Sequence, residues 1–216
     1  YNATTQFESR LEITAGAMVV GESGAIITDG RGYLGGYSGD NANNYGLTLG
    51  NLPGSTYRSG GSYGGLGGSA GGVPNLLYGD PLYPVGLGSG GSSGGYSTAG
   101  GNGGGWIWIH AGELQLEGRI SASGAAGGNY EAGSGSGGSV LIYAPEVSGA
   151  GAIAADGGGN DVGGGGGRIA VYYKEALSDV STITVTASGG ATGADSGQDG
   201  TVNLVPGEVA PPEFDK

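Results

Sequence analysis

"WIWIHAGELQLEGRISASG" (residues 106–124) holds both tryptophans and the only histidine of the chain. Trp106, Trp108 and His110 alternate with Ile107, Ile109 and Ala111. In a strand this spacing sends the two tryptophans and the histidine to one face and the aliphatic residues to the other. Three further stretches align with it: "RLEITAGAMVVGESGAIITDG" (10–30), "SVLIYAPEVSGAGAIAADG" (139–157) and "RIAVYYKEALSDVSTITVTASG" (168–189).

The apolar places recur in register. Leu11, Ile107, Val140 and Ile169 form one column, and Ile13, Ile109, Ile142 and Val171 the next. Ala15, Ala111, Ala144 and Tyr173 follow, then Met18, Leu114, Val147 and Leu177, and finally Ile26, Ile120, Ile153 and Ile183. The last three units start 33 and 29 residues apart, and each ends in glycines. A period near 30 with strand alternation is a repeat signature, because one unit cannot bury its apolar face alone while stacked units can. The expected fold is all-β, a parallel β-helix with short strands in each coil. Gly and Asn would turn its corners, Gly by taking positive φ without penalty. An antiparallel sandwich or barrel is the rival architecture.

Composition bounds the rest. Glycine supplies 56 of 216 residues, a level that usually marks disordered linkers, but compact apolar runs interrupt it here. The net charge of −12, with seven Lys and Arg, leaves no footprint for nucleic acid or an anionic membrane. No apolar run nears the roughly 18 residues that span a bilayer. Zero cysteines and an acidic surface suit a bacterial extracellular or cell-surface protein. The Tyr at position 1 reads as the start of a processed or excised chain, and Asn2-Ala3-Thr4 as a chance match to the glycosylation pattern.

"GGGGGRIAVYY" (163–173), "GDPLYPVGLGSGG" (79–91) and the "GxIxAxGG"-like turns resemble the glycine-rich repeat regions of large bacterial surface and secreted proteins. The resemblance spans roughly residues 24–200 and implies a β-helical, adhesin-like module. It brings no catalytic motif with it.

Residues 33–102 lack the columns but carry eight of the thirteen tyrosines. A structureless loop of that length is anomalous in a compact domain. The expectation is a glycine-rich lobe, extended or polyproline-II-like, packed by its tyrosines on one face of the coil. Residues 1–205 then form one domain, and 206–216 read as a linker or tail.

Catalytic patterns mostly fail. G-x-S-x-G occurs at 60–64, 67–71 and 90–94, among other places, as chance dictates in such a chain, with no helix to follow. "GLGGSA" (65–70) mimics a dinucleotide fingerprint but runs into Gly and Pro. The outward acids Glu12, Glu113, Glu117, Glu146 and Glu175 read as scattered surface charge rather than acid–base pairs. "DGGGND" (156–161) resembles one copy of a glycine-rich calcium loop, which makes Asp156, Asn160 and Asp161 the candidate ligands of a structural calcium. Asp and Asn are equally the ordinary residues of turns.

The columns turn Trp106, Trp108 and His110 outward, beside Leu141, Tyr143, Ala170 and Tyr172. Two readings follow. The tyrosine-rich lobe covers this face as a second apolar layer, or Trp106, Trp108, His110, Tyr143 and Tyr172 form a ligand-binding platform for sugar rings. The leading functional expectation is an adhesion module without catalysis, recognising a glycan or host surface. The alternatives are a structural stalk or self-associating filament module, and a polysaccharide-active enzyme.

Overall fold

The computed structural model describes residues 8–190 and 195–207. The chain forms strands β1 (Leu11–Val20), β2 (Ala25–Ile27), β3 (Leu47–Thr48), β4 (Leu52–Pro53), β5 (Trp106–Leu116) and β6 (Arg119–Ser121). It continues with β7 (Ser139–Tyr143), β8 (Glu146–Ser148), β9 (Ala152–Ala154), β10 (Arg168–Tyr173), β11 (Thr184–Thr186) and β12 (Thr201–Pro206). Among the described residues there is no α-helix, only three short 3-10 turns.

The fold is all-β with two parallel main sheets. The first runs β1-β5-β7-β10-β12, with β8 also on β5, and the second runs β11-β9-β6-β2. Parallel pairing excludes the antiparallel alternative for both; among the described residues antiparallel pairing is confined to the small β3–β4 hairpin and the isolated Ser59–Ser69 bridge. In the first sheet Leu11 pairs with Ile107, Ile107 with Val140, and Val140 with Ile169. Ile13, Ile109, Ile142 and Val171 pair likewise one step along. Ile107, Ile109, Val140, Ile142, Ile169 and Val171 are buried in one cluster with Ile120 and Ile153 of the second sheet. Each such side chain contributes about 1.5–3 kcal/mol by leaving water. The break between β7 and β8 falls at Ala144-Pro145, where proline has no N–H for the ladder.

Two columns run differently from the sequence expectation, and a further unit joins the stack. Leu177 lies in a 3-10 turn and is 53% exposed, because Pro145 and Lys174 divert the two chains just before this point. Val185, not Ile183, pairs with Ile153; the "TIT" and "TVT" steps of that unit offer two equivalent registers two residues apart. A fifth strand, "TVNLVP", continues the columns through Val202 opposite Ile169 and Leu204 opposite Val171.

The glycines behave differently from corner residues. Only seven of those described have positive φ. Most lie in the 33–105 segment and in the runs that leave the sheets and return: 122–138, 155–167 and 187–190 with 195–200. These runs interleave with segments of 33–105. Residues 133–138 show the rule. Gly133 and Ser136 donate their N–H to Ser92 and Ser89, Ser134 and Gly137 to Val162 and Gly165, and Gly135 and Gly138 to Ala125 and Ala122. Their carbonyls accept from Gly101 and Gly104, from Gly61, and from Gly158. The direction repeats every three residues, as in a threefold extended helix whose backbone bonds are free to go outward. One segment thus binds six neighbours. Side chains do not fit between them: a Cβ on Gly135 would lie 2.0 Å from the Asn102 carbonyl oxygen, and one on Gly165 1.9 Å from that of Gly65.

Candidate functional site

The aromatic face lies on the first sheet opposite the aliphatic core, as strand alternation requires. Trp106 is buried with Tyr33, Leu47 and Leu87, and Tyr45 and Tyr78 pack against this group. Trp108 is half-buried against a cluster of Leu141, Tyr143, Ala170 and Tyr172, which Val85 also touches. The Arg10 guanidinium sits 5.1 and 5.0 Å from the centroids of Trp106 and Trp108. Residues 33–102 therefore supply much of the cover of this face, and the tryptophans belong to a second apolar layer.

Tyr143 and Tyr172 are in-register neighbours whose rings stack at 4.7 Å with 7° between planes. They are only 2% and 5% exposed. The Tyr172 hydroxyl donates to the Leu82 carbonyl at 2.7 Å, and Tyr83 stacks on its ring at 5.9 Å. Burial, followed by the nearby Tyr83, pushes the Tyr172 phenol up to about 12. Burial and then the neighbouring Tyr172 raise that of Tyr143 further. The Tyr143 hydroxyl and the Trp106 indole N–H are buried with no hydrogen-bond partner among the described residues.

His110, exposed at the end of this row, pairs with Tyr143. His110, Tyr143 and Tyr172 come together around a pocket of about 60 Å³, completed by Ala144, Pro145, Tyr173, Lys174 and Gly207. Such a volume admits a few waters or one functional group, not a sugar ring. Trp106 and Trp108 are not part of it. Backbone bonds hold the pocket's frame: Ala144 N–H to Tyr172 C=O, Lys174 N–H to Pro145 C=O, and Gly207 N–H to Tyr173 C=O. Lys174 was not singled out in the sequence, because its place depends on the turn after β10.

The candidate calcium ligands serve separate tasks. Asp156 accepts from the Ser188 N–H at 2.7 Å and the Thr186 hydroxyl at 3.0 Å. The Asn160 amide donates to the Gly127 and Gly128 carbonyls, and Asp161 accepts from the Glu131 N–H. Among the described residues no three acidic, His or Cys side chains gather as a metal site would need. The acids are less scattered than the sequence suggested, since Glu113 and Glu146 pair in register. Both are exposed, so water solvates the pair.

Arg168 was also missed. It is 7% exposed, and its guanidinium donates to the Tyr78 carbonyl at 2.9 and 3.1 Å and to the Thr201 hydroxyl at 3.3 Å. It ties the tyrosine-rich segment to two strands of the sheet. Asn2 and residues 208–216 of the tail lie outside the described residues. Comparison with protein-family models, with curated proteins and with solved structures finds no match to this chain.

Proposed function

We propose that the chain is a non-catalytic structural module of the parallel β-helix type, working at or beyond a bacterial cell surface, whose coils are built to be continued by further coils. The observation that carries this reading is the state of the two edges. Among the described residues the core columns run to both ends of the first sheet without a polar cap: Leu11 is 38% exposed on β1, and Val202 and Leu204 are 41% and 38% exposed on β12. Repeat proteins that end their stack place polar residues there, because an open edge with apolar side chains is a template for another strand. The hydrogen-bonded glycine bundle alongside would keep such a stack stiff.

Sedimentation velocity across a wide concentration range tests this. The expected result is head-to-tail association that grows with concentration and that Leu204→Lys abolishes. A chain that stays monomeric throughout would overturn the reading.

Recognition of a saccharide is a second reading, favoured by one observation: His110, Tyr143 and Tyr172 meet at one pocket. Binding to a glycan array that His110→Ala reduces would support it, and an array without a hit would remove it.

A further inference from the structure

In a chain that is one quarter glycine, many of the positions that favour glycine most are held by other residues. Among the described residues eight non-glycine residues have positive φ, against seven glycines. Seven of the eight fall at four bends: Tyr37 (φ 54°), Tyr57 and Arg58 (28° and 56°), Tyr96 and Ser97 (55° and 58°), and Tyr130 and Glu131 (both 61°). A bulky side chain in this region is uncommon and persists only where its surroundings hold it there. Glycine would make each bend without that cost, so the fold does not call for tyrosine at these places.

The four bends gather at the end of the glycine bundle far from the sheets. Tyr130 lies midway between Ser121, which ends β6, and Ser139, which begins β7. At about 3 Å per residue in an extended threefold helix, the run carries it roughly 25–30 Å out. The Gly95 N–H donates to the Tyr130 carbonyl and the Arg58 N–H to the Ser93 carbonyl. The Ser93 N–H donates to the Asn44 carbonyl, and the Tyr37 N–H to that of the adjacent Asn43. The rings of Tyr96 and Tyr130 meet edge to face at 5.1 Å. Arg58 lies 4.9 Å from the centroid of Tyr57 and forms an ion pair with Glu131. All four rings are exposed, Tyr96 to 92%.

We propose that this tip is a binding surface for an uncharged saccharide, with Tyr37, Tyr57, Tyr96 and Tyr130 as its stacking rings. Each ring is followed in the chain by a hydrogen-bonding side chain, Ser38, Arg58, Ser97 or Glu131. An aromatic face beside such a group suits a pyranose, whose apolar C–H face is edged by hydroxyls. The two charged residues of the bends pair with each other, so no charge there is set aside for a charged ligand. The rings together expose roughly 500 Å², less than the ~800 Å² that a protein partner covers in a stable interface. The bundle fixes the bends in advance, which spares a weak ligand the cost of ordering them. The tip shares no residue with the His110 pocket or with the two sheet edges, so either reading above can fail while this one stands.

The whole chain is mixed with neutral hexasaccharides of glucose, galactose, mannose and N-acetylglucosamine, and binding is read by saturation-transfer NMR and titration calorimetry. At least one sugar should bind. Tyr96→Gly and Tyr130→Gly should each weaken that binding about tenfold, the effect of losing one stacked ring. Their melting temperatures should stay level or rise, because glycine relieves the strained bend. The proposal would be overturned by absence of binding to every sugar, or by unchanged affinity in both glycine variants. A loss of affinity that comes with a lowered melting temperature would also overturn it, since the rings would then belong to the fold. So would adsorption to bacterial cell envelopes that survives periodate oxidation of their sugars and is lost on proteolysis, which would assign the tip to a protein partner.

Discussion

The Tyr63 hydroxyl lies 2.8 Å from the Ser139 hydroxyl, joining the tyrosine-rich segment to the first residue of β7 across 76 positions of sequence. Ser139 donates in turn to the Gly86 carbonyl at 2.6 Å, so Tyr63 is the donor of the pair. Tyr63 is fully buried, and its loss would not be made good by water. Tyr63→Phe should lower stability by about 1–2 kcal/mol, read as a shift in the urea midpoint without a change of slope. An unchanged midpoint would mean that the lobe is held by packing alone.

Alkaline conditions should attack the same interface. Burial raises the phenols of Tyr63, Tyr78, Tyr143 and Tyr172 above their ordinary value near 10. A buried acid with a raised folded value contributes stability that is complete below the unfolded value and is lost as pH climbs toward the folded one. Stability should therefore be insensitive to these groups at neutral pH and fall steeply above about pH 10. Phenolate absorbance should rise together with loss of the circular dichroism signal. Ionisation of all thirteen tyrosines before unfolding would contradict the assigned burial.

Arg168 is a buried cation whose nearest acceptors are neutral. Its removal would strand the Tyr78 carbonyl inside the protein. Arg168→Leu should cost about 3 kcal/mol, and Arg168→Lys nearly as much, because an ammonium cannot hold that carbonyl and the Thr201 hydroxyl with one planar fork. Thermal melting of both variants checks this; a rescue by lysine would show that charge alone matters.

The columns of aliphatic residues were legible because parallel stacking repeats one inside–outside pattern in every unit. Ile107 to Ile169 could thus be aligned without coordinates. The unit at 168–189 slipped by two residues since a row of alternating Thr, Ile and Val satisfies two registers equally. The outward turn of Trp106 and Trp108 followed from alternation alone, but their cover did not, since contacts from Tyr33 or Leu87 cross long stretches of sequence. The glycine runs were the least legible part. A glycine chosen for positive φ and one chosen for close approach look the same in a sequence, and only the hydrogen bonds of 133–138 tell them apart.

Both carboxylate oxygens of Asp156 already accept protein hydrogen bonds. A chelator should leave the melting temperature unchanged, and Asp156→Ala should cost only about 1 kcal/mol for the two lost hydrogen bonds, because water can take the acceptor's place at the exposed Ser188 N–H. Destabilisation by the chelator in the wild type would restore calcium at this loop.

The rigidity assigned to this module depends on the glycine bundle, and two single substitutions test the bundle most directly. Gly135 sits in the run with six hydrogen-bonded neighbours, and a Cβ there would meet the Asn102 carbonyl oxygen at 2.0 Å. Gly16, on the edge strand β1, has nothing within 4 Å of the same position. Gly135→Ala should cost about 3 kcal/mol or more, lowering the melting temperature by roughly 6–12 °C or preventing folding. Gly16→Ala should leave it unchanged or slightly raised. Equal melting temperatures for Gly135→Ala and the wild type would contradict the close-packed bundle, and with it the account of why this chain is one quarter glycine.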